Sequence, residues 1–227
     1  MKKTLTLIAI LLLPTLIYIY FALGVPKAVR APFFGPRTVI SATDKEGNPV
    51  TDTIYYSVPE FTGKTSGGIN FSSASLKGRP YAAIFVDPDT MSSLLTLLVE
   101  DIKLNPRTYH YARFVFFYRT TDKAAISAPD FEKSLNLEKG TAVTLPVSPS
   151  RFDSLHAQFF IPDPARKKDP WQTYSDAVVA DQDASIRGYY NIRFAADIKK
   201  MKEDINYIFQ RDQATETVER TKIEKKK

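Results

Sequence analysis

The chain has no cysteine among its 227 residues. That excludes disulfides, thiolate metal sites, cysteine nucleophiles, dithiol exchange and lipid attachment through a cysteine behind a leader segment. Only two histidines are present, His110 and His156, so metal chemistry is limited to carboxylate-rich sites or to none. No Gly-x-Ser-x-Gly elbow occurs, and Gly67-Gly68 lacks the lysine of a phosphate loop. With 44% apolar and 25% charged residues, composition is that of an ordinary globular protein, not a disordered or polytopic membrane chain.

Positive charge is in excess, but it is not concentrated on the body. The net charge is +6, and Lys2 and Lys3 precede a long apolar run. From Arg211 onward, six basic residues face four acidic ones. The remaining charge on the body is too small for a nucleic-acid binder, so no nucleic acid is expected as a partner.

Thr4 to Gly24 carries no charge and is almost entirely apolar. As a helix it reaches about 31 Å, the thickness of a bilayer core. Pro14 is tolerable there, and Tyr18 and Tyr20 suit the far interface. Lys2 and Lys3 hold the short N-terminal end on the cytoplasmic side. The expectation is a single-pass inner-membrane anchor over 1–24 with the domain facing the periplasm. A cleaved signal peptide ending at Ala22-Leu23-Gly24 is the alternative, and it exports the domain equally.

Three prolines in Val25 to Arg37 mark an extended spacer. Thr38–Ala42 and Thr53–Ser57 read as paired strands around the Asp44–Asn48 turn. Thr62 to Ser73, rich in Gly, Ser and Thr, reads as a loop. Tyr81–Val86 and Ala112–Tyr118 are continuous apolar runs, the pattern of strands buried on both faces. Between them, Met91 to Leu104 reads as a helix capped by Asp89 or Thr90. A short helix near Pro129–Leu135 and a strand over Thr141–Val147 follow. Residues 146–170 read as an insertion. Ala177–Ala180 and Ile186–Tyr190 form a hairpin, and Phe194, Ile198, Met201, Ile205, Ile208 and Phe209 fall at helical spacing. The polar stretch 211–227 reads as a disordered tail. Alternating βαβ followed by ββα, with one central helix on each face, predicts a thioredoxin-like α/β sandwich over 38–210.

Asp87 and Asp89 flank Pro88 at the start of the first helix. They read as a helix cap stabilised by the helix dipole, with a hard-cation or general-base site as the alternative; two aspartates alone are too few ligands to argue a metal. Ser92 and Ser93 could act as nucleophiles only with a base in reach, and no spacing places His110 or His156 there. His156 reads as a strand residue. Trp171 and Tyr174, with Arg166, Lys167 and Lys168, form an aromatic-basic stretch of the kind that docks proteins.

Four stretches carry a resemblance. Tyr56-Ser-Val-Pro-Glu-Phe61, Leu76-Lys-Gly-Arg-Pro-Tyr-Ala-Ala-Ile-Phe85, Phe114–Asp122 and Asp181–Tyr190 with its IRGYY run on to Phe209. Together they resemble the Sco/SenC family of membrane-anchored copper chaperones of cytochrome oxidase assembly. The family holds copper with a Cys-x-x-x-Cys pair after the first core strand and a distant histidine. The resemblance places those positions on Asp89, Ser93 and a residue near Thr173 to Ser175, so none of the family's ligands is present.

The sequence therefore predicts a non-catalytic, membrane-tethered protein of this type without copper, thiol chemistry or cofactor. It would act by contact with a membrane-protein complex, as an accessory or assembly factor of a respiratory complex. The alternatives are an enzyme remodelled around Asp87, Asp89 and Ser93, and a structural subunit of another membrane complex.

Overall fold

The computed structural model describes Leu12 and residues 31–43, 49–88, 95–121, 126–161 and 175–224. Contacts divide the chain into a unit over 1–30 and a unit over 31–227. The predicted anchor, Thr4–Gly24, lies outside the described residues apart from Leu12. Among the described residues no helix is long and apolar enough to cross a membrane.

The second unit opens with a two-stranded ribbon, β1 (Arg37–Thr43) and β2 (Pro49–Tyr55), paired antiparallel as the sequence predicts. A smaller ribbon follows, β3 (Thr62–Lys64) against β4 (Asn70–Ser72). It occupies the stretch whose Gly, Ser and Thr content predicts a loop. Tertiary pairing overrides that composition, because the Ser66 amide donates to Thr144 O at 2.9 Å and anchors the ribbon to the main sheet.

The main sheet holds β5 (Tyr81–Val86), β6 (Arg113–Arg119), β7 (Ala142–Val147), β8 (Ala177–Ala180) and β9 (Ile186–Tyr190), in the spatial order β7-β6-β5-β8-β9. β5, β6 and β7 run parallel, whereas β8 is antiparallel to β5 and to β9. Every residue of β5 is buried, which is why its sequence is an unbroken apolar run.

Helix α1 (Leu95–Leu104) and the short α2 (Pro106–Tyr109) join β5 to β6, and α3 (Ala128–Leu135) joins β6 to β7. Both crossovers step the same way across the sheet, so right-handed connection puts both on one face. The C-terminal helix α5 (Ala195–Glu224) packs there too, through Ile198, Met201, Ile205 and Ile208. The other face is covered by α4 (Pro149–Gln158), whose Phe152 and Leu155 join Phe61, Phe85, Phe117 and Phe159. The layers are thus unequal, not one central helix per face.

Three further differences have plain causes. The region predicted as an insertion contains the regular helix α4, begun by the Ser148 hydroxyl accepting from the Arg151 amide, with Pro149 in the first turn. Phe194 lies ahead of α5 and is exposed, while Phe209 stacks on Tyr111 with centroids 3.6 Å apart. Helix α5 runs to Glu224, past the start of the predicted tail. Residues 211–224 contain no Gly or Pro and many good helix formers, so polarity there did not mean loss of helix.

Candidate functional site

β5 ends where Pro88, which has no amide hydrogen, stops the ladder. The parallel register pairs Val86 with Tyr118, so the next residues out, Asp87 and Arg119, stand side by side. Arg119 Nη1 donates to Asp87 Oδ2 at 3.1 Å, with both side chains about a third exposed. Arg119 also lies over the Phe152 ring, its Cζ 5.7 Å from the centroid. Phe152 in turn touches His156, at 4.5 Å between centroids, and His156 meets Phe85 edge-on at 4.5 Å. Asp87, Arg119, Phe152, His156 and Phe85 therefore form a continuous chain of contacts that closes on β5.

His156 sits on α4, not on a strand. The helical spacing from Phe152 brings both rings onto the buried face, against Phe85. The spacing was legible, but the prolines on either side masked it.

Asp176 completes this end of the sheet. The Phe85 amide donates to Asp176 O at 2.9 Å, and the Asp176 amide donates to Tyr190 O at 3.1 Å. Its backbone thereby bridges β5 and β9. Its carboxyl is buried, which raises its pKa above the ordinary aspartate value, and Arg193 Nε at 3.7 Å from Oδ2 offsets part of the rise. The neighbouring Ser175 hydroxyl is buried without a hydrogen-bond partner among the described residues.

Of the residues singled out from sequence, the structure places Asp87 and His156 at this end of the sheet. Asp87 is ion-paired rather than acting only as a cap. His110 lies on the turn after α2, edge-on to Tyr111 and exposed, and belongs to the opposite end. Asp89, Ser92, Ser93, Arg166, Lys167, Lys168, Trp171, Thr173 and Tyr174 lie outside the described residues. Arg119, Asp176 and Arg193 stand in no sequence motif that marks them as site residues. An arginine ending an apolar strand, and an aspartate ahead of Ala177–Ala180, were the available signals. Among the described residues no group of three or more His, Asp or Glu could hold a metal ion. A cavity of about 540 Å³ opens at the other end of the sheet, with the Lys77–Glu60 ion pair, 2.6 Å, in its wall. It is remote from Asp87.

The five-stranded sheet with this strand order, flanked by helices, is a thioredoxin-like α/β fold. The structure is similar to that of BsSco, a member of the Sco family of cytochrome c oxidase assembly proteins, at 18% identity. That match covers 67% of this chain and 93% of BsSco, with a TM-score of 0.51. It is similar also to a Sco1/SenC family lipoprotein from Bacillus anthracis, at 15% identity over 67% of this chain and 95% of that one, with a TM-score of 0.52. A candidate protein disulfide isomerase from Bacteroides thetaiotaomicron matches at 13% identity, over 68% and 88% of the two chains, with a TM-score of 0.50. No protein-family model matches the sequence, and neither does any curated protein. The resemblance to Sco/SenC proteins read from sequence thus extends to the fold. With no cysteine in the chain, thiol redox chemistry is absent.

Proposed function

We propose that this is a membrane-tethered, Sco-like protein that works by contact with a membrane-protein complex and neither carries copper nor exchanges thiols. The observation that carries the reading is the Asp87–Arg119 pair. In a thioredoxin-like fold the end of the first core strand is where a thiol would act. Here the chain has no thiol, and a carboxylate and a guanidinium are ion-paired at the strand ends.

Two further points support it. In the sequence, the aromatic-basic stretch Arg166 to Tyr174 immediately precedes Ser175 and Asp176, and Asp176 lies at this end of the sheet. The similarity in fold to BsSco, named for cytochrome c oxidase assembly, makes an accessory role at a respiratory membrane complex the partner class to test first. Thr4–Gly24 supplies the tether, with the domain on the periplasmic side.

The test is affinity purification of the tagged full-length protein from its own membranes in mild detergent. The reading expects one membrane complex in stoichiometric amount, and loss of that complex when Arg166, Lys167 and Lys168 are changed to serine. Recovery of the protein alone contradicts it.

A second reading is an enzyme remodelled around Asp87, Asp89 and Ser93, with the buried carboxyl of Asp176 at the same end of the sheet. Full recovery of the complex by Asp176→Asn, together with greater stability at neutral pH, would assign that carboxyl to packing.

A further inference from the structure

At the far end of the sheet from Asp87, the turns leading into the three parallel strands surround a cleft of about 340 Å³. Arg79 precedes β5, Arg113 opens β6 and Lys139 precedes β7, and all three line it. Lys103 reaches it from α1 and His110 from the turn after α2. One carboxylate, Glu138, is in the same wall.

Among the described residues, Arg79, Lys103, Arg113 and Lys139 take part in no ion pair. The carboxylate of Asp101 on α1 is not free to neutralise them. It accepts from Asn105 Nδ2 at 2.9 Å, from the Tyr109 hydroxyl and from Lys202 Nζ at 2.9 Å. Gly140, at φ +88°, lets the Arg113 guanidinium lie against the backbone. A Cβ there would come within 3.4 Å of Nη1. Arg113 is half-buried, while Arg79, Lys103 and Lys139 are exposed at the rim.

Four permanent cations around one concavity repel each other, and a bound anion relieves that repulsion. Two arginine forks and two lysines match the several oxygens of a phosphate better than a single carboxylate. The wall also contains Ile102, Tyr109 and Leu137, an apolar surface for the body of an organic molecule. The volume is at the small end of the range for ligand clefts, which suits one organophosphate and not a polymer. We propose that this cleft binds a small phosphate-bearing anion through Arg79, Arg113 and Lys139. The phosphate could belong to a soluble ester or to a phospholipid headgroup.

The test is calorimetric titration of the detergent-solubilised full-length protein at low ionic strength with two probes, glycerol 3-phosphate and dihexanoyl-phosphatidylglycerol. Expected is saturable binding of at least one probe, weakened about tenfold by Arg113→Gln and by the exposed Lys139→Gln. Binding of the soluble ester identifies a free organophosphate as the source. Binding of the short-chain lipid without the soluble ester identifies a headgroup. Lys199→Gln, on the exposed side of α5, should leave binding unchanged. Absence of saturable binding by both probes overturns the proposal. So does equal binding of dihexanoyl-phosphatidylcholine, or equal weakening by Lys199→Gln.

Discussion

Arg187 Nη1 lies 3.0 Å from Asp181 Oδ2, and both side chains are buried, at 1% and 6% exposure. The remaining donors of Arg187 reach back to the start of the domain. Nη2 donates to Ala31 O and Nε to Pro32 O at 3.3 Å, and the Phe33 ring stacks 3.9 Å from Cζ. The other Asp181 oxygen accepts from the amides of Asp183 and Ser185 and so shapes the β8–β9 turn. One buried pair therefore fastens the end of the spacer to the hairpin.

Removing one partner should leave the other charged and buried. Arg187→Ala is expected to cost about 3–5 kcal/mol of stability, read by urea denaturation. It should also make the chain near Ala31–Phe34 more sensitive to protease. Replacing both partners with apolar residues should recover part of the loss. A single substitution that costs nothing would show that the spacer is held some other way.

Asp176 sets a pH dependence of known sign. Burial raises its folded pKa above the unfolded value, so folding favours the protonated form. Its contribution to stability is therefore fully present below the unfolded pKa, about 3.9, and is lost as pH rises through the folded pKa. Asp176→Asn should raise Tm at pH 7, and the gap from wild type should close as pH falls toward 4. A gap that is constant with pH would contradict this assignment.

Gly188 is required by packing and not by backbone angle. A Cβ on it would meet the Tyr190 ring and hydroxyl at 2.1–2.8 Å. Tyr190 is buried and its hydroxyl donates to Asp204 Oδ2 at 2.6 Å, so it has little room to yield. Gly188→Ala should cost roughly 1–3 kcal/mol, seen as a lower denaturation midpoint with an unchanged slope.

The sheet and most of its helices were legible because burial on both faces writes itself as unbroken apolar runs, as in Tyr81–Val86 and Phe114–Tyr118. The hairpin Ala177–Tyr190 was legible from its turn. Helix α4 carried a readable start at Ser148-Pro149, but the surrounding prolines suggested irregular chain instead. Side-chain sites were harder. Asp87 stands out beside Pro88, yet its partner Arg119 is 32 residues away and is adjacent only through strand register. The cleft of Arg79, Arg113 and Lys139 is scattered along the sequence and gathers only at the strand starts, so no local motif announces it. Arg187 was the strongest missed signal, a charge inside a strand that otherwise reads as core.

The Asp87–Arg119 pair is partly exposed, so breaking it should cost little stability. Arg119→Ala is expected to lose no more than about 1 kcal/mol. The full-length protein should also retain no stoichiometric Cu(I) against a chromogenic chelator, because no thiolate is available. Tight, stoichiometric copper retention would reopen metal transfer as its work.

The most direct measurement is quantitative mass spectrometry of what remains bound to the tagged full-length protein after mild solubilisation of its own membranes. Wild type and a triple Arg166→Ser, Lys167→Ser, Lys168→Ser variant should be compared side by side. The account predicts one membrane complex in stoichiometric amount with wild type and its loss with the variant. Wild-type protein recovered alone from the membrane fraction, or recovered from the soluble fraction with its N-terminal segment intact, would contradict it.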